Sequence, residues 1–310
     1  MLGACTRVAP PGLPAGTTLD DLPDVETWGA HLRTTANGRP AVELDAPYLA
    51  RYRRAPASAR LDLTVPGGAA DSSAVFLGPP PATPGAPPAG RVSVRLFDAS
   101  GAPSATVAAD RAWLHEASGR LVAEGRVEVT GADGARVAAA RVATSREGAF
   151  TASGGASATL GGASVAAPRI AATRDGAFTA SGGASATIGG ASVVAPRITA
   201  TRGGAFTASG GTTATLTGRA NATVRARTLT GTAGGTRYVA QGAARVDAAS
   251  GRRLDAALVV WDDAAGRFRA PGAFSFDGPG ERVRGVGLDA TADLSRYSFR
   301  RATGQIEVRE

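Results

Sequence analysis

The string Gly-Ala-Phe-Thr-Ala-Ser-Gly-Gly occurs three times, with its phenylalanine at Phe150, Phe178 and Phe206, so the chain copies one unit every 28 residues. A fixed period in this range marks a supersecondary unit that cannot bury its own apolar face and must stack on its neighbours. Within the unit, Phe150, Ala152, Ala156, Ala158 and Leu160 alternate with Thr151, Ser153, Ser157 and Thr159. That is the period-two pattern of a strand with one hidden and one wet face. The near-identical copies occupy 148–203.

The divergent regions share this period. Glycines at Gly125, Gly154, Gly182, Gly210, Gly242, Gly272 and Gly304 each follow a short aromatic or aliphatic stretch. Turn signals recur between the alternating runs, at Asp98–Gly101, Gly131–Gly134, Arg174–Gly176, Asp262–Gly266 and Asp277–Gly280. Each offers glycine for positive φ, and most offer an aspartate for local hydrogen bonding. Near the start, Glu26–Leu32 and Pro40–Leu44 read as strands joined at Asn37-Gly38, a strong hairpin signal. The stretch 53–74 is polar and alanine-rich, and the proline-rich 78–90 is predicted to be an exposed loop. Nothing in the alternating region has helical periodicity.

Charge narrows the partners. The chain carries a net charge of +8, and every basic residue apart from its two histidines is arginine. Anionic partners suit such a balance: nucleic acid, an anionic membrane surface or a phosphorylated glycolipid. Arginine without lysine also follows from base-composition bias in a genome. No basic helix or tract is present, so a nucleic-acid groove has the least support and no nucleic acid is expected as a partner. The lone Cys5 excludes a disulfide framework and a multi-cysteine metal site. His31 and His115 lie in no recognisable motif, so the expectation is no catalytic residue, no metal site and no cofactor.

Several segments resemble the LptC family of lipopolysaccharide-export proteins. They are Glu26-Thr27-Trp28-Gly29-Ala30-His31-Leu32 with its continuation from Asn37 to Tyr52 and Val92 to Gly101, then Leu254 to Phe268, and Arg282 to Phe299. Ala109-Asp110-Arg111-Ala112 and Arg120 to Val129 are similar to that family and to the related LptA. The repeats from 148 onward look like units added to such a frame. At the N-terminus, Leu2-Gly3-Ala4-Cys5 resembles the lipobox of bacterial lipoproteins, with Pro10 to Pro14 suited to a tether.

The resemblance implies an all-β fold, an elongated, twisted, open β-jelly-roll of stacked repeats over 24–310, preceded by a lipobox and tether over 1–23. It implies a periplasmic bridge for lipopolysaccharide, lipid-anchored at Cys5 to the inner membrane, with acyl chains sheltered in an apolar groove. The expected lining residues are Val127, Val129, Phe150, Leu160, Phe178, Ile188, Phe206, Leu216, Phe274 and Phe276. Expected partners are lipopolysaccharide, the subunits of an inner-membrane export ABC transporter and an LptA-like periplasmic protein. Those proteins would join by strand pairing at the terminal edges, through Trp28, Ala30 and Leu32 at one end and Arg300, Gln305, Ile306 and Val308 at the other. The competing expectation is a structural or adhesive β-solenoid with a solid core and no lipid, because alanine-rich inner faces suit either an open channel or tight closure.

Overall fold

A computed structural model describes residues 22–53, 74–79, 90–115, 120–145, 148–160, 162–188, 190–218, 220–232 and 235–302. The described chain is all-β, with nineteen strands and no helix. It divides into two compact units, residues 1–133 with 140–148, and residues 134–139 with 149–310.

The first unit opens with a hairpin of β1 (Val25–Ala36) and β2 (Arg39–Tyr52). Asn37 and Gly38 turn it with φ of 54° and 76°, the two positive values a type I′ turn demands. The far edge of β2 then serves two partners. Its residues Tyr48–Tyr52 pair with β3 (Ala74–Gly78), and Val42–Asp45 pair with β4 (Val92–Phe97). Pro47 lies between these segments and has no N–H to donate, so the ladder breaks there. β3 continues to β6 (Arg111–His115), and β4 to β5 (Pro103–Ala109). Both pairs meet again on β7 (Arg120–Gly131), β6 along Arg120–Glu124 and β5 along Glu128–Gly131. Two short pairs thus bridge two long strands, each broken near its middle.

The second unit is a pure meander. Its strands are β9 (Phe150–Leu160), β10 (Ala163–Ala172), β11 (Phe178–Ile188), β12 (Ala191–Ala200), β13 (Ala205–Leu216), β14 (Ala222–Thr232), β15 (Arg237–Ala248), β16 (Arg253–Asp262), β17 (Arg267–Gly278), β18 (Glu281–Thr291) and β19 (Tyr297–Ala302). Each pairs antiparallel with the next. One 28-residue repeat therefore supplies two strands, or roughly 9.6 Å of sheet width at about 4.8 Å per strand. The remaining strand, β8 (Arg136–Thr144), buries Val137, Ala139 and Val142.

Every pairing from β9·β10 through β17·β18 slips register near its middle. On either side of the slip the same face is hidden. In β11, Phe178 and Ala180 before it and Ala184, Ala186 and Ile188 after it are 0–6% exposed, while Ser185 and Thr187 face solvent. A sheet face loses water to that degree only beneath a second layer. Each slip is a β-bulge, a feature that bends a strand and increases its local twist.

Candidate functional site

The bend is built from a repeated pair of residue types. Gly182, Gly210 and Gly242 hold φ of 89°, 93° and 81° in the middle of β11, β13 and β15. Opposite them stand Pro168, Pro196 and Arg227 on the preceding strands, and a Cβ on each glycine would lie 3.3, 3.0 and 2.7 Å from the facing side chain. Glycine is required twice over, for its backbone conformation and for the close approach. Gly125 of β7 repeats the arrangement against Asp110, at 2.5 Å. Of the periodic glycines, Gly154 also has positive φ, Gly272 does not, and Gly304 lies outside the described residues. The slip in β17 spans Ala270 to Ala273 and contains Pro271.

The residues expected to line a groove all lie on the hidden face where the structure describes them. Val127, Phe178, Ile188, Phe206, Leu216, Phe274 and Phe276 keep between 0 and 6% of their surface. Val129 and Phe150 are half-buried, and the side chain of Leu160 lies outside the described set. Around them Ala152, Ala180 and Ala208 are fully buried, one per repeat. Ile170 and Ile198 flank Ala180 directly across the ladder, and both are also fully buried. Along these positions the inward side chains keep almost no surface open to water. An acyl chain would enter here only by parting them.

In the first unit the hidden face carries a run of aromatic rings that the sequence pattern does not reveal. Tyr52 and Trp113 are 6.0 Å apart, Trp113 and Phe76 4.9 Å, Phe76 and Tyr48 6.3 Å, and Tyr48 and Trp28 5.5 Å. The rings come from β1, β2, β3 and β6, so only the non-local pairings of β2 and β3 bring them together. The Tyr48 hydroxyl donates to the Glu26 carboxylate, and burial, reinforced by that bond, pushes its pKa well above the usual phenol range.

The run ends uncovered. On β1, Trp28 is 63% and Leu32 40% exposed, yet their register partners Tyr48 and Leu44 are buried, as is Ala30 between them. Among the described residues β1 pairs with β2 alone, leaving its outer edge without a strand. At the other terminus β19 pairs, among the described residues, with β18 alone, and Arg300 there is exposed. Gln305, Ile306 and Val308, and the anchor residue Cys5, lie outside the described residues.

Polar chemistry is sparse. Among the described residues no group of three His, Cys, Asp or Glu side chains could hold a metal ion. His31 Nδ1 lies 2.6 Å from Asp45 Oδ1, with both side chains more than half exposed. His115 is buried in β6, 2% exposed. A shallow cavity of about 530 Å³ opens across β14 to β17 beside Arg225, Arg245, Asp255 and Phe274. Its cations are already matched, Arg225 to Asp247 and Arg245 to Asp255, each at 2.6 Å. No protein-family model matches the chain, and no curated protein matches it significantly.

Proposed function

We propose that the chain is a bridge component of lipopolysaccharide export, sheltering lipid A acyl chains between its layers on the way from an inner-membrane ABC transporter toward the outer membrane. The observation that carries this reading is the uncovered inner face of β1. A stack that only held length would close its end with a polar cap. Here the hidden face runs out instead into exposed Trp28 and Leu32, on a strand whose outer edge has no partner among the described residues. A neighbouring jelly-roll adding a strand there would cover both. The gain in sheltering is large, since each methylene kept from water is worth about 0.8 kcal/mol. In this reading Cys5 carries the lipid that holds the chain at the inner membrane, and an LptA-like protein joins at an edge.

A specific observation favours the second reading, a solid β-body without a lipid ligand. The inner positions of β11 and β13 are filled to 0–6% exposure, which leaves no standing channel. Lipid passage then requires the layers to separate, and small alanine side chains at the contact hold them less firmly than interlocked leucines would.

Site-specific photo-crosslinking separates the two. A probe at the inward Phe178 and another at its outward neighbour Thr179 are each exposed to lipopolysaccharide in cells that export it. Adducts at 178 and none at 179 are the expected result. Equal labelling, or none at either, refutes transport and leaves the solid body.

A further inference from the structure

We infer that the outer face of the repeats is a docking row for an extended acidic polysaccharide. The argument starts from charge. Residues 148–236 contain seven arginines and one aspartate, and so hold six of the chain's eight net positive charges. Two of those arginines stand one repeat apart at the bend, Arg169 on β10 and Arg197 on β12, both exposed. They share one register row. Ser153 pairs with Arg169, Arg169 with Ser181, Ser181 with Arg197, and Arg197 with Ser209. Arg227 on β14 extends the line of cations by two more strands, beside the Thr228 that pairs with Ser209.

The outcome is a register row in which arginine recurs on every second strand, at Arg169 and Arg197, roughly 9.6 Å apart across the sheet, with half-buried serines between them and Arg227 one position off the row on β14. No described carboxylate pairs with Arg169, Arg197 or Arg227. The contrast with their surroundings is sharp. Arg141, one repeat before Arg169, lies 2.7 Å from Glu124. Arg225 and Arg245 also have aspartate partners. Exposed arginines such as Arg284 and Arg301 also lack a described carboxylate partner, but Arg169 and Arg197 recur along one register row.

The chemistry of the band selects among polyanions. Single-stranded nucleic acid needs aromatic platforms for its bases, and the only aromatics of the repeats, Phe150, Phe178 and Phe206, belong to the inner face. A membrane surface yields about 1 kcal/mol per basic residue, so three arginines on a face with no aromatic anchor hold it weakly. A semi-rigid chain of acidic sugars presents anions at regular intervals with hydroxyls between them. It can place a carboxylate, sulfate or phosphate at each guanidinium and a sugar hydroxyl at each serine, through charge-assisted hydrogen bonds. This inference is independent of whether lipid enters the interior.

The test uses the full chain and an alginate oligosaccharide of defined length, titrated by calorimetry at several salt concentrations. The expected result is salt-sensitive binding that the double variant Arg169→Ser/Arg197→Ser weakens at least tenfold. The slope of log K against log salt should fall by about one for each arginine removed. Arg225→Ser, which removes a paired cation, should leave binding within twofold of the parent. No binding by the parent chain, or equal binding by the double variant, overturns the proposal. So does tighter binding of anionic vesicles or a single-stranded oligonucleotide, lost in the same double variant, since the row would then serve a different class of partner. Unchanged circular dichroism of both variants ensures that the comparison reports on the row.

Discussion

Replacing Ala180 by leucine asks whether the interior of the repeats holds empty space. Ala180 is fully buried on β11 between Ile170 and Ile198, its two cross-strand partners. Leucine adds three carbon atoms at that point. If the layers are closed as the burial shows, the added bulk forces neighbours off their rotamers and costs about 1–3 kcal/mol. If a void lies beneath, the same atoms leave water at a gain of about 0.8 kcal/mol each, roughly 2 kcal/mol in all. The two cases differ in sign. For a body of this size 1 kcal/mol moves the midpoint by about 2–4 °C, so closure predicts a Tm lowered by roughly 4–8 °C at a 2 kcal/mol cost. Thermal unfolding followed by circular dichroism measures it, with the outward, exposed Ser185→Leu as the matched control. A Tm for Ala180→Leu at or above the parent value would refute the closed interior and strengthen the case for a lipid path.

Two further outcomes test the fold's construction. Gly242→Ala must carry a side chain at φ 81° with its Cβ 2.7 Å from Arg227, whereas Gly251→Ala meets nothing within 4 Å at φ 78°; backbone strain of about 1–3 kcal/mol is common to both, and urea unfolding should show Gly242→Ala as the more damaging, equal losses meaning that the bend tolerates a methyl group. Asp293 accepts hydrogen bonds from Thr291 Oγ1 at 2.6 Å and from the Ser295 amide at 3.1 Å, bonds that hold its pKa down to about 2. Its carboxylate therefore adds stability in full above the ordinary carboxyl range, and that contribution fades as pH falls from about 4 toward 2. The drop in Tm over that window should be shallower in Asp293→Asn, and an unchanged pH profile would remove the turn from the account.

Parity made most of the second unit legible in advance. Phe178 to Ile188 alternate so regularly that a strand with one hidden face is their only consistent arrangement, and Asn37-Gly38 turns its hairpin as read. A further local signal was available. Gly182 follows Pro168, and Gly210 follows Pro196, by the same interval, and this pairing of a φ-positive glycine with a proline marks the bend. Other features depend on partners distant in sequence. The run from Ala74 to Gly78 is too short to declare itself a strand, and it is held by β2 and β6 from either side. The split edge of β2 joins Val42 to Leu96, and the aromatic run exists only after that folding. Whether an alanine-lined face stands open or closed is set by the distance between layers, which no local pattern encodes. The open charge of Arg169 and Arg197 is legible as composition, but its alignment with three serines is a product of register.

Because each duplicated segment lays down one outgoing and one returning strand, inserting or deleting a copy restores the chain to the same side of the sheet, heading the same way. Neither neighbour has to change its register or the face it presents. Near-identical tandem copies are also the substrate of recombinational slippage, so the gene can alter the width of this body in whole steps, with the flanking regions left as they were.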